Sequence, residues 1–293
     1  YETFMPPVGG TADRPTDVKP GMVYYNKDFK TIEFWDGNFW KQVDNTTRRG
    51  RGVIGGGYVA PLRVSDIEFI EISTLGNALS FGDLTADTTQ PGPAADSTRG
   101  VFCGGMLQSG NTNVIQYITI SSSGNGNDFG NLTQQRAGSG ACASPTRGLF
   151  AGGYSTAPNY NIIDFITIAS LGEAQDFGDL TDDPNHLAGC SNSTRGLFGG
   201  GQNPSNVNVI VYVTIATEGN AIDFGDLSAA KDYLGACASQ IRGIFGGGQS
   251  PTKLNVIEFV NIATTGDVTD FGDLTVARRF TMGLSDVHGG LAQ

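Results

Sequence analysis

Several stretches of this sequence carry residue types and spacings that could do chemistry. Asp-Phe-Gly recurs at Asp128-Phe129-Gly130, Asp176-Phe177-Gly178, Asp223-Phe224-Gly225 and Asp270-Phe271-Gly272. That tripeptide holds magnesium in phosphoryl-transfer enzymes when a strand-borne lysine and a catalytic loop accompany it. Neither accompanies it here, and four evenly spaced copies mark a structural role. Gly50-Arg51-Gly52-Val53-Ile54-Gly55 spells G-x-G-x-x-G, but a dinucleotide site needs a helix to follow, and here more glycine follows. The two histidines, His186 and His288, stand at unrelated places, so neither a zinc centre nor a copper oxidase site has its ligands. Asp83, Asp179, Asp226 and Asp273 recur in phase, yet calcium needs its oxygens converging within about 2.5 Å of one ion. Turn capping, or pairing with nearby arginines, is the expectation for them. Asn45-Thr46-Thr47, Asn131-Leu132-Thr133 and Asn192-Ser193-Thr194 fit the glycosylation triplet by chance in an Asn- and Thr-rich chain. No catalytic residue, cofactor or metal is expected, and the chain reads as a non-enzyme.

The elements that carry these residues are copies of one another. Arg51, Arg99, Arg147, Arg195 and Arg242 each open an Arg-Gly-(Val/Leu/Ile)-(Ile/Phe)-x-Gly-Gly string, at steps of 48, 48, 48 and 47 residues. A second signature keeps the same step, from Ser80-Phe81-Gly82-Asp83-Leu84 to Asp270-Phe271-Gly272-Asp273-Leu274. Two landmarks locked in phase define one structural unit, written five times. Cys142, Cys190 and Cys237 share one slot of that unit, where other copies have Ala94 and Leu284, so they read as small core residues and free thiols. Cys103 takes the slot of Gly55, Ala151, Gly199 and Gly246.

Composition agrees with many short strands joined by turns. Of 293 residues 39% are apolar, and the net charge of −11 with only 18 Lys and Arg leaves no basic stripe for phosphates. Nucleic acid and anionic membranes are therefore not the expected partners, and no apolar run approaches the roughly 20 residues of a membrane helix.

Within a unit, taking the copy at residues 234–274 as the type, the pattern predicts four strands. They are the small-residue strand 234–239, the glycine-closed strand 242–248, the β-branched and aromatic strand 255–262, and 268–274. The third strand is apolar on both sides, so each sheet must be sandwiched between copies of itself, as in a β-propeller. The predicted fold is all-β, a five-bladed propeller over residues 46–293 behind a small β-meander module over 1–45. Residues 281–287 align with the first strand of a further unit and are expected to supply the inner strand missing from blade one, with Gln42 to Arg48 as the rival.

The double glycine closing the second strand, followed by an aromatic-containing third strand, resembles the kelch repeat. The Arg-Gly-x-Phe-x-Gly-Gly and Asp-Phe-Gly-Asp-Leu strings are closer still to kelch-like repeat proteins of bacteriophages and marine bacteria. No Trp follows the double glycine, so no ligand site carries over from that family. In the module, Gly21-Met22-Val23-Tyr24-Tyr25-Asn26 followed by Trp35-Asp36-Gly37-Asn38-Phe39-Trp40 resembles a short module of bacteriophage tail fibres and other virion appendages.

That resemblance implies a non-enzymatic virion protein (a fibre, spike or head or tail decoration) on the particle surface. The alternative is a secreted or surface carbohydrate-binding lectin of a bacterium. Tyr24, Tyr25, Phe34, Trp35, Phe39 and Trp40 concentrate more aromatic area than so small a sheet buries. They are the expected contact with other virion proteins or with further copies, a trimer first. The expected recognition loops run from Leu107 to Asn113, Ser155 to Asn161, Gln202 to Asn208 and Gln249 to Leu254. Gln108, Asn111, Tyr154, Asn159, Asn203, Asn206, Gln249 and Lys253 are the candidate contacts to a host-surface glycan or protein.

Overall fold

The computed structural model describes residues 5–27, 31–35, 37, 40–42, 50–72, 75–155 and 159–284. The chain divides into two compact units, Tyr1–Arg49 and Gly50–Gln293. Among the described residues every regular element is a strand except one turn of 3-10 helix at Thr11–Asp13.

The N-terminal unit is a four-stranded sheet. Val8–Gly9 runs parallel to Val23–Asn26, which pairs antiparallel with Thr31–Trp35, and that strand pairs with Trp40–Gln42. The lead crosses one face, where the Tyr24 hydroxyl donates to the Gly10 carbonyl at 2.9 Å and Arg14 grips the buried Glu33 with two bonds of 2.9 and 2.6 Å. Alternation along the strands then sorts the aromatic residues. Tyr24, Trp35 and Trp40 share the crossed face, with ring centroids 5.7 and 5.8 Å apart, and Tyr24 is only 2% exposed. Tyr25 and Phe34 point the other way with Ile32, and there Ile32 and Phe34 are exposed. The aromatic set is thus two sets on opposite faces, with Tyr24 consumed by the module itself. Phe39 lies outside the described residues.

In the repeat unit each copy is a meander. The second copy pairs Gly92–Ala95, Arg99–Cys103, Val114–Thr119 and Asn127–Asn131 in that order, and the next three repeat it. The first copy has three strands, Arg51–Val59, Leu62–Glu71 and Leu79–Asp83. The hydrophobic layers lie between copies: Phe102 of the second packs against Gly55 of the first, and Phe245 of the fifth against Gly199 of the fourth. A Cβ at Gly55 would stand 2.9 Å from the Phe102 ring.

The repeat arginines have a double role. Each lies over an aromatic ring of the long strand paired with its own, Phe69, Tyr117, Phe165, Tyr212 and Phe259, at 4.4 to 4.7 Å from the centroid. In the first four copies the guanidinium also donates to a carbonyl of the next copy: Arg51 to Ile120, Arg99 to Ile168, Arg147 to Ile215 and Arg195 to Ile262. They do not pair with Asp83, Asp179, Asp226 or Asp273. Instead, the backbone N–H groups of Asp83, Asp179 and Asp226 donate to Asn125, Asn220 and Asp267 of the following copy. Among the described residues no three His, Cys, Asp or Glu converge as metal ligands.

Thr281 to Leu284 form no strand. They nonetheless lie along the fifth copy's inner strand, Gly235–Ala238, with the Thr281 carbonyl carbon 2.8 Å from where a Gly235 Cβ would be. Leu284 then reaches the first copy, its Cδ1 2.9 Å from the Cβ position of Gly52. Residues 285–287 lie outside the described residues. Of the rival segment, Gln42 belongs to the module's last strand and 43–48 lie outside the described residues.

Candidate recognition surface

The loops after the double glycines are more ordered than a polar loop predicts. Met106–Leu107 pairs with Gly110–Asn111, and Gln202–Asn203 with Ser205–Asn206, forming miniature hairpins. Their side chains mostly fasten one copy to the next. Asn111 donates to the Tyr154 carbonyl at 2.6 Å, Asn159 to Gln202 at 3.3 Å and Asn206 to Gln249 at 2.7 Å. Gln108 accepts from Arg63 at 2.6 Å, Gln249 from Arg279 at 2.6 Å, and Asn203 donates to Asp182 at 2.8 Å. Residues expected to be free for a ligand are therefore a structural ladder, because the loops lie within hydrogen-bond reach of their neighbours. Lys253 is exposed, and its backbone pairs with Gln249. Residues 156–158 lie outside the described residues.

A second column of residues beside these loops escaped the sequence reading. Gln90, Gly138, His186, Tyr233 and Phe280 occupy one slot of the repeat, all with φ between 54 and 65°. Each N–H from Gly138 onward donates to the carbonyl of the previous member, at 3.3, 2.8, 3.1 and 2.9 Å. The side chains converge: His186 lies 4.1 Å from Tyr233 and 5.1 Å from Tyr154, and Tyr233 lies 4.2 Å from Phe280, centroid to centroid. Arg279 covers Tyr233 and Phe280 at 5.6 and 5.2 Å. Gln90 Oε1 lies 3.1 Å from the Tyr154 hydroxyl and 3.3 Å from His186 Nε2. The signal that could have found this column is its phase, 48, 48, 47 and 47 residues, joined to its changing identity in an otherwise repetitive unit.

The chemistry of this column is that of stacking and hydrogen bonding. Burial pulls the His186 pKa down to about 4, so the ring is neutral near pH 7, with Nε2 facing Gln90 Oε1 and the buried Nδ1 meeting no hydrogen-bond partner among the described residues. Burial likewise raises the phenols of Tyr154 and Tyr233, which keeps them as neutral donors. The four cysteines are free, and burial pushes the Cys142 thiol up to about 12, a poor nucleophile.

His186 makes stability depend on pH in a defined window. The unfolded imidazole binds its proton below about pH 6.5, whereas the folded one does so only near about 4. Its contribution is therefore whole above pH 6.5 and is lost as pH falls toward 4, a span worth up to about 3 kcal/mol. Asn tolerates the left-handed φ of 54° at this position. Urea titrations at pH 7, 5.5 and 4.5 are expected to show a shallower stability loss for His186→Asn than for the unsubstituted chain.

No family model matches this sequence, and neither does any curated protein.

Proposed function

We propose that the five copies close into a five-bladed propeller and that the chain is a non-enzymatic virion structural protein of a bacteriophage. In this reading the loop side of the disc is displayed to a host-surface glycan or protein, and the module binds further copies or other virion proteins. The observation that carries the display reading is the contrast within one repeat. Arginines, glycines and phenylalanines recur copy after copy, while the adjoining column changes from Gln to Gly, His, Tyr and Phe. A rigid repeat scaffold with differing tips is how binding surfaces are built on solenoids and propellers. Half-exposed Tyr233 and exposed Phe280 offer flat apolar faces of the kind that stack on sugars, and this also suits the bacterial lectin alternative.

Glycan arrays and whole-cell binding test the display role. Tyr233→Ala with Phe280→Ala is expected to abolish capture that Ile241→Ala, an exposed residue elsewhere, leaves intact. Equal binding by both variants overturns the assignment of the column. Light scattering tests the anchoring role: the full chain is expected to be a homo-oligomer, a trimer first, and the chain lacking residues 1–45 a monomer. A monomeric full chain that also binds no other virion protein overturns it.

A further inference from the structure

Each of the first four copies is covered by the next in the same way, and among the described residues the fifth copy's outward face is uncovered. Gly124, Gly172, Gly219 and Gly266 donate their N–H groups to the carbonyls of Phe81, Phe129, Phe177 and Phe224 in the preceding copy at 2.7 to 2.9 Å. Those four rings are at most 3% exposed, whereas Phe271, the fifth, is 50% exposed. The first copy carries the complementary parts unused. Gly76 is its equivalent of Gly124; Gly82, Gly130, Gly178 and Gly225 each back onto the covering glycine of the next copy, whereas a Cβ at Gly272 would meet nothing within 4 Å among the described residues.

Charge matching says what covers this face. The second glycine of each pair donates to the carbonyl of Thr88, Arg136, Pro184, Lys231 and Arg278 in turn. Opposite each of the first four, at one position of the following copy's third strand, stand Gln116, Asp164, Val211 and Glu258; their pairings with Phe102, Phe150, Phe198 and Phe245 fix the equivalence. At two joins both slots hold neutral residues, and at the other two the cations meet acids in buried ion pairs: Arg136 with Asp164 and Lys231 with Glu258, both at 2.8 Å. The third cation, Arg278, has no following copy in chain order. The residue at the matching position of the first copy, paired with Ile54, is Glu68. Both are exposed and neither makes an ion pair among the described residues.

We infer that the first copy of the same chain covers the fifth, with Arg278 and Glu68 forming the third buried ion pair of the ring. This rests on the five-bladed reading and adds its locking pair. The occupant is the chain's own first copy because Leu284, six residues beyond Arg278, already touches Gly52, which raises the local concentration of the first copy above that of any free partner.

The pair is tested with the full chain carrying Arg278→Lys, a substitution that puts at this slot the residue type Lys231 already provides. Zero-length carbodiimide coupling is expected to join the introduced amine to Glu68, detected as a linked peptide pair and lost on adding Glu68→Gln. In mixtures of light and heavy-nitrogen chains every linked pair should be isotopically uniform; mixed pairs would make a second copy the occupant and overturn the inference. Coupling to a different carboxylate, or none, overturns the ion pair. Hydrogen exchange at the Gly76 amide separates the two levels. Protection comparable to Gly124 without coupling leaves the ring and removes the lock, whereas a fast-exchanging Gly76 removes the five-bladed reading as well.

Discussion

Replacing Asp164 by alanine is expected to cost about 3–5 kcal/mol, among the largest losses available to a single substitution in this chain. Both partners are fully buried, with the Arg136 guanidinium 2.8 Å from Asp164. Arg136 also donates to the carbonyls of Ile162 and Phe150, and Asp164 accepts from the Thr133 N–H at 3.0 Å and hydroxyl at 2.7 Å. Burial lowers the Arg136 pKa, and Asp164 is the strongest influence opposing that. Removing the carboxylate leaves a buried cation without its counter-charge and strands two Thr133 donors. A double replacement, Arg136→Met with Asp164→Val, should lose less than Asp164→Ala alone, because the fourth copy holds Pro184 and Val211 in these slots. Urea denaturation of the three variants measures the difference. A double variant as unstable as the single one would mean that the hydrogen bonds to the flanking strands, and not the stranded charge, dominate.

Gly152→Ala is expected to destabilise by about 3 kcal/mol or more, by combining backbone strain with a steric clash. Gly152 has φ of 64°, and a Cβ there would stand 2.5 Å from the Pro184 carbonyl oxygen. That oxygen is pinned, since it accepts the N–H of Gly153 at 3.0 Å. Neither the glycine nor its neighbour can shift without loosening the join between the third and fourth copies. Gly124→Ala is the control: nothing lies within 4 Å of its Cβ position and its φ is not in the left-handed range. It should stay within about 0.5 kcal/mol of the parent. Thermal melts of both variants decide the matter, and a mild Gly152→Ala would mean the double-glycine bend has room to relax.

What the sequence determined by itself follows from periodicity. The 48-residue phase placed the strands, although in the copy taken as the type the third strand begins at Thr252 and the fourth runs on to Arg278, beyond the expected 255 and 274. Strand patterning is legible because it depends on neighbours along the chain: β-branched runs, turn glycines and alternation. The Cys slot was legible for the same reason, and all four thiols are free.

The site was much less legible, since it depends on which copies touch. Asn111, Asn159 and Asn206 look like free polar loop residues in a linear chain. Only the stacking of copies reveals that each fastens a carbonyl 43 residues further on. The same holds for the repeat arginines, which do not meet the recurring aspartates expected to pair with them; ring faces and carbonyls of the next copy engage them, and Arg51 and Arg147 pair instead with Glu71 and Glu218. His186 looked like an isolated loop residue, yet the packing of three copies sets it between Tyr154 and Tyr233. In the module, tertiary structure divided one apparent aromatic patch into two faces by laying the lead across Tyr24 and Glu33. Local residue order sets which strands form, because backbone pairing and alternation are short-range. Which polar groups remain free is settled only when distant copies meet and satisfy one another's donors and acceptors.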